Sequence, residues 1–367
     1  MKRLLCIVGG MNAGGAETYL MKLLRQLDRE NYHIDFCVMI CGEGYYDKEI
    51  KELGGKIFHV PPKTRNPVKS FWAIRKIVQD GQYKSVLRIS QNSLSCMELY
   101  AAKLGGAKKL CFRSSNSDTC GNFWAYLIHV VFKPWLNVIA NVKIAPSTEA
   151  GVFMFGKRQV KRNRVFFLRN AIDLKEFTYN KAVREKYRAE LGIRGKYVIG
   201  HVGRFARQKN HSFLLDVFSE VHKRNRNAAL ILVGDGELQK EIKEKVSCLR
   251  LENSVIFLGV RKDIAELMNA MDLFLLPSLY EGMPNALIEA QAVGLPCISS
   301  SNITREANIT GMVRYISLEK PEKWIRDIVC RMEQGSISRK SMEDQYKEHG
   351  YDIESACRIF EKLVFMK

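Results

Sequence analysis

Short apolar runs alternate with amphipathic segments along almost the whole chain, and this alternation constrains the fold more than any other feature. The runs LLCIV (4–8), YVIGHV (197–202) and AALILV (228–233) are each followed by glycine and then by apolar residues at helical spacing. Continuous apolar runs of this length are typical of strands that are buried on both faces of a parallel sheet. The repeated order of strand and helix predicts an α/β fold with two Rossmann-like, doubly wound parallel sheets.

The chain has 367 residues, which favours two domains. The alternation restarts after the loop-like stretch NAIDLKEF at 170–177. We therefore expect an N-terminal Rossmann-like domain over 1–170 and a C-terminal Rossmann-like domain over 171–350. A helix over 351–367 follows, for which packing back on the first domain is one arrangement. Two such domains are expected to face each other across a cleft, because open α/β sheets bind ligands outside the carboxyl ends of their strands.

The formal net charge of +19 is unusually high and is unevenly distributed. Residues 1–180 contain 28 Lys and Arg against 14 Asp and Glu, whereas the remainder contains 30 against 25. Such a field attracts nucleic acid, an acidic membrane or phosphorylated substrates. The sequence contains no recognised nucleic-acid module, basic helix or aromatic stacking platform, so we do not expect a nucleic-acid partner.

The cysteines and the opening segment predict a cytoplasmic protein. The ten cysteines include no CxxC pair, which favours reduced thiols and gives no zinc-type cluster. The first apolar run is too short for the core of a signal peptide. The segment at 123–140 contains His129, Lys133, Pro134 and Asn137, so we do not expect it to cross a membrane.

The strongest chemical motif is EGMPNALIE, which begins at Glu281 and ends at Glu289. It follows the apolar run LFLLP, and its second half is predicted to open a helix near Asn285 or Ala286. The amino end of a helix exposes N–H donors and a positive dipole, which suits a diphosphate. The two carboxylates can hold sugar and ribose hydroxyls through charge-assisted hydrogen bonds. No DxD motif or histidine cluster accompanies them, so no metal is expected.

Two loops that follow predicted strands supply further candidates. Arg204 and Lys209 lie in GRFARQKN at 203–210, where they can neutralise a departing diphosphate. Gly14 and Gly15 open the turn GGAE after the first strand, and glycines let the backbone approach a ligand closely. The spacing of this turn is not that of the dinucleotide-binding GxGxxG fingerprint.

Taken together, these motifs resemble those of the retaining family-four glycosyltransferases of the GT-B fold. The matching segments are GGAE at 14–17, NAIDLKEF at 170–177, GRFARQKN at 203–210, LVGDGEL at 232–238, FLG at 257–259 and EGMPNALIEAQAVGLPCISS at 281–300. The paired glutamates and the Arg/Lys loop are specific, whereas GGAE is supportive. The sequence of these segments also resembles that of enzymes of bacterial capsule and exopolysaccharide assembly. The resemblance implies transfer of a sugar from a nucleotide-sugar, of which UDP-sugars are the commonest in the family, to a saccharide or lipid-linked saccharide.

The resemblance also implies that the domain over 1–170 binds the acceptor and the domain over 171–350 binds the nucleotide-sugar, and it implies a role for each candidate residue. Glu281 would contact the donor sugar, Glu289 the ribose, and Arg204 and Lys209 the departing phosphate. The remaining donor-side candidates are Gly15, Val260, Arg261, Met283, Pro284, Asn285, Ala286 and Leu287. The acceptor-side candidates are Gly14, Arg113, Ser115 and Asn116. The family retains the anomeric configuration, and its members generally need neither a divalent metal nor another cofactor.

The chain departs from the family pattern after the predicted strand KKLCFR. Relatives commonly place a histidine in the following loop, which here reads Arg113-Ser-Ser-Asn-Ser117. Ser115 or Asn116 takes the contact, another group supplies it, or activity is reduced. This departure motivates one alternative function, a catalytically weak or silent partner subunit. A nucleotide-sugar epimerase of the same fold is a second alternative.

An apolar stripe in the first domain suggests a location for the enzyme. Its members follow helical spacing roughly and are Trp124, Leu127, Ile128, Val131, Trp135 and Ile139. Together with the surrounding basic residues, the stripe can dock on the anionic inner face of the cell membrane, where lipid-linked acceptors lie. The alternative is an ordinary core helix, which Pro134 would kink or divide.

Overall fold

A computed structural model of the chain describes residues 1–12, 14–40, 42–115, 123–335 and 339–365. The chain forms two compact units. Unit 1 comprises Met1–Asp173 together with Gly350–Lys367, and unit 2 comprises Leu174–His349. Unit 2 is therefore inserted, in sequence, between two segments of unit 1.

The strands are β1 (Lys2–Val8), β2 (Tyr32–Val38), β3 (Ile57–His59), β4 (Ser85–Ser90), β5 (Lys109–Ser114), β6 (Val142–Ala145), β7 (Phe166–Phe167), β8 (Tyr197–Val202), β9 (Ala228–Val233), β10 (Val255–Gly259), β11 (Leu273–Leu276), β12 (Cys297–Ser300) and β13 (Val313–Ile316). The helices are α1 (Gly15–Gln26), α2 (Asp47–Glu52), α3 (Pro67–Asp80), α4 (Cys96–Leu104), α5 (Phe123–Ile139), α6 (Thr148–Phe155), α7 (Lys157–Lys161), α8 (Lys181–Glu190), α9 (His211–Arg224), α10 (Gln239–Cys248), α11 (Ile264–Ala270), α12 (Asn285–Ala292), α13 (Pro321–Gln334), α14 (Glu343–Glu348) and α15 (Ile353–Val364).

Unit 1 contains a parallel sheet in the order β3-β2-β1-β4-β5-β6-β7. Successive side chains of the central strand β1 point to opposite faces. Leu4 and Cys6 enter the core that includes residues of α1 and α15, whereas Leu5 and Ile7 enter the core that includes residues of α3, α4 and α6. Burial on both faces explains why β1 reads as a continuous apolar run and not as an alternating one.

Helix α15 completes the first of these cores. Ile353, Cys357, Phe360 and Val364 recur at helical spacing and are buried with residues of α1 and β1. Asp352 caps the helix by accepting a hydrogen bond from the Ser355 amide at 2.9 Å. The C-terminal helix therefore belongs structurally to unit 1.

Unit 2 contains a parallel sheet in the order β10-β9-β8-β11-β12-β13. One of its faces packs on α9, α10 and α13 around the fully buried Trp324. The indole Nε1 of Trp324 donates to the Ser317 carbonyl at 3.1 Å, so its polar atom is satisfied. Strands β8 and β11 are neighbours in the sheet although β9 and β10 lie between them in the sequence, which makes this pair the point where the strand order reverses.

The predicted fold class is confirmed, because both units are parallel sheets wound with helices. The predicted start of α12 also agrees with the structure. The apolar stripe differs from expectation in one respect. Helix α5 continues through Pro134 and is not divided there, although proline removes one helical hydrogen bond. Among the described residues, no helix combines the length and the apolar character needed to span a bilayer.

Replacing Phe360 by alanine tests the contribution of α15 to unit 1. Phe360 is fully buried against residues from both ends of the chain. Removing a buried phenylalanine leaves a cavity and typically costs about 3–5 kcal/mol. We expect Phe360→Ala to lower the free energy of unfolding by this order, as measured by urea denaturation followed by circular dichroism.

The neighbouring Ile359→Ala is the matched control, because Ile359 lies on the same helix and is 46% exposed. It should change the free energy of unfolding by less than about 0.5–1 kcal/mol. Equal effects of the two substitutions would contradict the packing described for α15.

Candidate functional site

The carboxyl edge of the unit 2 sheet collects the loops that carry the sequence motifs. The loop after β8 contains Gly203, Arg204 and Lys209, and the loop after β11 contains Glu281. Because β8 and β11 are parallel neighbours, their carboxyl ends lie side by side and bring the two loops together. This edge is where open α/β sheets bind their ligands.

Lys209 and Glu281 form an ion pair between these two loops. The Lys209 ammonium lies 2.6 Å from Oε1 of Glu281, and the side chains are 18% and 8% exposed. Ser278 donates its hydroxyl to the same carboxylate oxygen at 2.7 Å, and Gln208 donates its amide to Oε2 at 3.2 Å. Three donors thus surround one carboxylate, which offsets the cost of removing it from water.

Backbone hydrogen bonds fix the loop after β8 against its neighbour after β9. The Phe205 amide donates to the Asp235 carbonyl at 2.9 Å, and the Leu238 amide donates to the Phe205 carbonyl at 2.9 Å. Gly234 lies in this contact with a φ of +133°, and a Cβ there would approach the Gly203 carbonyl oxygen to 2.2 Å. Glycine at 234 is therefore required by both its backbone conformation and the close approach of the two loops.

The exposed basic candidates in unit 2 each have an acidic neighbour. Arg204 is 73% exposed and its Nη2 lies 2.9 Å from Glu237, which belongs to the loop after β9. The guanidinium of Arg261 binds Asp263, with its Nε 2.7 Å from Oδ1, and holds the pKa of Asp263 at about 2. Val260 precedes this pair and is half exposed.

The second half of the paired-glutamate motif forms the start of helix α12. The helix begins at Asn285, and the preceding residue, Pro284, makes no side-chain cap hydrogen bond. Met283, Leu287 and Glu289 are buried, whereas Asn285 and Ala286 are partly exposed. The first turn therefore presents backbone amides at the carboxyl edge of the sheet, an arrangement that suits an anion.

Two buried histidines lie beneath the Arg/Lys loop. His201 Nδ1 is 2.8 Å from the Leu275 carbonyl and donates to it, so its Nε2 is the unprotonated acceptor. His211 stacks on Phe205 with ring centroids 4.2 Å apart. Within the described residues, His201 Nε2 and both nitrogens of His211 have no hydrogen-bond partner. Burial lowers the pKa of both rings, and that of His211 falls to about 4. Both rings are therefore neutral at pH 7.

In unit 1, the candidate glycines lie at the start of α1. Gly14 precedes the helix and Gly15 is its first residue. A Cβ on Gly14 would lie 2.3 Å from Oε2 of Glu17, so the turn holds this carboxylate close to the backbone. Burial raises the pKa of Glu17 above its usual value.

Arg113, near the carboxyl end of β5, is almost completely buried. Its Nη2 donates to the side-chain oxygen of Asn170 at 2.5 Å, and its guanidinium lies 4.1 Å from the centroid of the Tyr19 ring. Its Nε has no partner among the described residues, and burial lowers its pKa. Ser115 donates its amide to the Ser90 carbonyl at 3.1 Å. Asn116 lies outside the described residues.

A second polar group in unit 1 was not predicted from the sequence. The Lys63 ammonium donates to Oε1 of Glu98 at 3.0 Å and to the Ser95 hydroxyl at 2.8 Å, and Arg88 lies 3.7 Å from the same carboxylate. His129 is buried nearby, and both of its nitrogens are engaged, by the Ser93 amide and the Phe153 carbonyl. In the described parts of both units, no three His, Cys, Asp or Glu side chains form a cluster that suits a metal ion.

Sequence reasoning also missed the side chains that position the candidates. Gln208 and Ser278 contact Glu281, and Glu237 pairs with Arg204. Gln208 and Glu237 lie inside the quoted motifs, so their positions were visible but their partners were not. The buried His201 and His211 flank the motif GRFARQKN, and this placement was the available signal.

Comparison with known proteins identifies the family. The profile of the family described as Glycosyl transferases group 1 matches residues 196–333. EpsF of Bacillus subtilis (strain 168), a protein assigned as a glycosyltransferase, is 35% identical over 359 residues, which cover 96% of this chain and 94% of EpsF. The fold and this similarity define a glycosyltransferase with two Rossmann-like units. The chain belongs to the group 1 glycosyl transferases.

Two further comparisons are informative. A UDP-Gal:α-D-GlcNAc-diphosphoundecaprenol α-1,3-galactosyltransferase of Escherichia coli is 27% identical over 310 residues, covering 78% of this chain and 76% of the relative. The crystal structure of HepE from Anabaena in complex with UDP and glucose matches with a TM-score of 0.73 and 19% identity, over 100% of this chain and 96% of that protein. The second likeness supports the GT-B fold.

Replacing His211 by phenylalanine tests whether the histidine is neutral when folded. The unfolded chain takes up a proton near pH 6.5, whereas folded His211 does so only near pH 4. Acid therefore favours unfolding in this range, by up to about 1.4 kcal/mol per pH unit for each such group. We expect His211→Phe to lose about 1 kcal/mol less stability than the wild type between pH 6 and pH 5.

The measurement is urea denaturation at several pH values, with His349→Phe as the control because His349 is exposed. The control should follow the wild-type curve. Parallel curves for His211→Phe and the wild type would show that His211 titrates normally in the folded protein.

Proposed function

We propose that this glycosyltransferase moves a sugar from a UDP-sugar to a saccharide or lipid-linked saccharide acceptor, with retention of the anomeric configuration, in the synthesis of a surface polysaccharide. The contact between Lys209 and Glu281 carries the proposal, because it joins the two motifs that the family resemblance assigns to the donor. The E. coli relative, named for a UDP-sugar donor and a diphosphoundecaprenol acceptor, and the UDP complex of HepE support the choice of donor and acceptor.

The ion pair suits both parts of a nucleotide-sugar. A diphosphate needs a cation, and Lys209 offers one that is held at a fixed position by Glu281. Sugar hydroxyls need acceptors, and among the described residues Oε2 of Glu281 accepts one hydrogen bond, from Gln208 at 3.2 Å. In this arrangement the sugar lies on Glu281 and the departing phosphate on Lys209. Arg204 leaves Glu237 to add a second charge as the glycosidic bond breaks.

The remaining donor contacts follow the chain along the carboxyl edge. The amino end of α12 at Asn285 and Ala286 receives the diphosphate, and Met283 and Pro284 shape the turn before it. The Leu287 amide, also a candidate, instead donates to the Pro284 carbonyl at 3.0 Å. Glu289 binds the ribose, and the backbone at Val260 and Arg261 faces the base. No step in this scheme needs a divalent metal, because the two cationic side chains and the helix amino end carry the charge of the diphosphate.

Unit 1 supplies the acceptor side of the reaction. Gly14 and Gly15 have no side chains, so the acceptor side can approach the donor phosphate at Gly15. Arg113 is buried between Tyr19 and Asn170, so it does not itself contact the acceptor. Ser115 or Asn116 takes the place of the histidine that relatives commonly have there.

The exposed face of helix α5 supports a cytoplasmic location on the inner face of the membrane. Trp124, Val131 and Trp135 are 70%, 56% and 64% exposed, so the alternative of an ordinary core helix is wrong for most of the stripe. The helix buries His129 and Leu136, and the stripe residue Ile139 packs against the core. An exposed apolar helix face with adjoining basic residues is typical of a membrane-surface helix.

A basic segment lies on helix α7, one helix away from α5. Helix α5 packs on α6, and α6 packs on α7. The exposed cations of α7 and the turn after it are Lys157, Arg158, Lys161, Arg162 and Arg164, and the stretch 157–164 contains no acidic residue. An anionic bilayer matches a unit that exposes both an apolar helix face and a basic helix.

Substitution of Arg204 tests the proposed transferase chemistry. Because Arg204 is exposed, Arg204→Ala should leave the thermal unfolding midpoint unchanged while turnover of the donor falls about 10²–10³-fold. The donor is first identified by screening nucleotide-sugars for an increase in the thermal unfolding midpoint of the protein. Turnover is then measured as UDP release in the presence of a chelator, so that the assay also tests metal independence.

Arg207→Ala is the matched control, because Arg207 lies in the same loop, is exposed and carries the same charge. It should retain turnover, whereas Glu289→Ala should abolish thermal protection by the donor. Equal turnover in Arg204→Ala and Arg207→Ala would exclude the assigned role of Arg204. A donor that protects but is never transferred would favour the partner-subunit alternative.

The proposed membrane contact is tested by the double variant Trp124→Ser, Trp135→Ser. Burying one large apolar side chain contributes about 1.5–3 kcal/mol, so partition into vesicles should fall at least tenfold. Flotation with vesicles containing phosphatidylglycerol measures this partition at low and high salt.

Ile359→Ser is the control, because Ile359 is an exposed apolar residue on α15, in unit 1 but on a different helix. It should float like the wild type, and high salt should weaken flotation of both. Wild-type protein that stays out of the lipid fraction at low and high salt would contradict the proposed membrane contact.

A further inference from the structure

Unit 2 has a pocket at the amino edge of its sheet, opposite to the edge that carries the candidate donor site. Its lining includes Tyr197, the first residue of β8, and Asp272, which directly precedes β11. Helix α8 contributes Arg184, helix α13 contributes Arg331, and Arg339 follows that helix. The loops of the donor motifs leave the other ends of these strands, so the two places are separated by the length of the sheet.

Asp272 is already shared by two arginines. Arg184 binds Oδ1 of Asp272, Arg188 binds Oδ2 at 3.1 Å, and the Val198 amide donates to Oδ2 at 2.8 Å. The two guanidiniums also donate to backbone carbonyls at the end of helix α11, at Asn269, Ala270 and Met271. These contacts explain Arg184 and Arg188 as caps of a helix C-terminus.

Two further arginines of the pocket, Arg331 and Arg339, form no ion pair with Asp272. Arg339 donates to the carbonyls of Met268 and Met271, and its pKa is lowered to about 10 by burial and by the charge of Arg184. Arg331 is partly buried and makes no hydrogen bond or ion pair with any described residue. The lining therefore holds three arginines against one aspartate that is already engaged.

Two tyrosines add neutral donors to the same pocket. The rings of Tyr179 and Tyr197 line it, and their hydroxyls bind no described residue. Tyr179 lies 5.0 Å from the Arg339 guanidinium, measured to its ring centroid. Burial and the nearby Asp272 raise the pKa of Tyr197, so its hydroxyl remains a donor at pH 7. The unsatisfied groups of the pocket are thus donors with a net positive charge.

We propose that this pocket binds the phosphate group of a small anion, either free phosphate or a phosphate monoester. A tetrahedral dianion offers acceptor oxygens in several directions, which matches Arg331, Arg339 and the two hydroxyls better than the two coplanar oxygens of a carboxylate. Its charge balances the excess of two cations over the engaged Asp272. The site is independent of the proposed donor site, because it shares none of its residues.

The test is thermal unfolding of the full chain during titration with inorganic phosphate, at ionic strength held constant with sodium chloride. A specific site raises the unfolding midpoint in a saturable way. We expect Arg331→Ala to weaken the apparent affinity at least tenfold and Tyr197→Phe to weaken it less. Arg204→Ala, which alters the donor edge, should retain the wild-type curve.

Parallel titrations with glucose 1-phosphate and with acetate identify the ligand class. Tighter binding of glucose 1-phosphate than of phosphate, again dependent on Arg331, would assign a phosphate monoester, whereas the reverse order would assign free phosphate. The proposal is overturned if phosphate gives no saturable shift, if Arg331→Ala and the wild type give the same curve, or if acetate acts as strongly as phosphate.

Discussion

The ion pair between Lys209 and Glu281 is the interaction on which the carboxyl edge of unit 2 depends. Both charges are largely removed from water, and such a pair is stable only when its remaining polar atoms are also satisfied. Ser278 and Gln208 meet this requirement, so four side chains from two loops act as one unit. Removing one partner of a buried ion pair typically costs about 3–5 kcal/mol, and this cost holds the two loops in place relative to each other. A site whose groups are fixed before substrate arrives loses little entropy on binding.

The sequence predicts elements that are defined locally and misses relations that are not. The strands and the start of α12 follow from apolar runs and from turn residues within a few positions of each element. Burial on both faces made the strands of the parallel sheets easy to recognise. By contrast, the pairing of Arg204 with Glu237 depends on how two loops approach each other, which no local pattern encodes. The candidate motifs were therefore found as segments, whereas their partners required coordinates.

Helix α5 and Arg113 show the same limit for burial. A helical apolar stripe has the same pattern whether it meets a core or faces outwards, and α5 is largely exposed. A basic residue near a strand end suggests a contact with a ligand, yet Arg113 is buried between Tyr19 and Asn170. In both cases the sequence specifies the chemistry of a side chain but not its surroundings. Burial depends on which elements pack together, and that is decided by the whole unit.

The order of segments in unit 1 has a consequence for biosynthesis. Helix α15 covers apolar residues of α1 and β1, yet the ribosome makes it only after all of unit 2. During translation the nascent first segment exposes the surface that α15 later covers, while unit 2 already has every residue of its own core. Unit 2 can therefore fold first, although N-terminal domains usually lead. Until α15 is synthesised, this exposed apolar surface can cause aggregation of the nascent chain, and it is a surface that chaperones can bind.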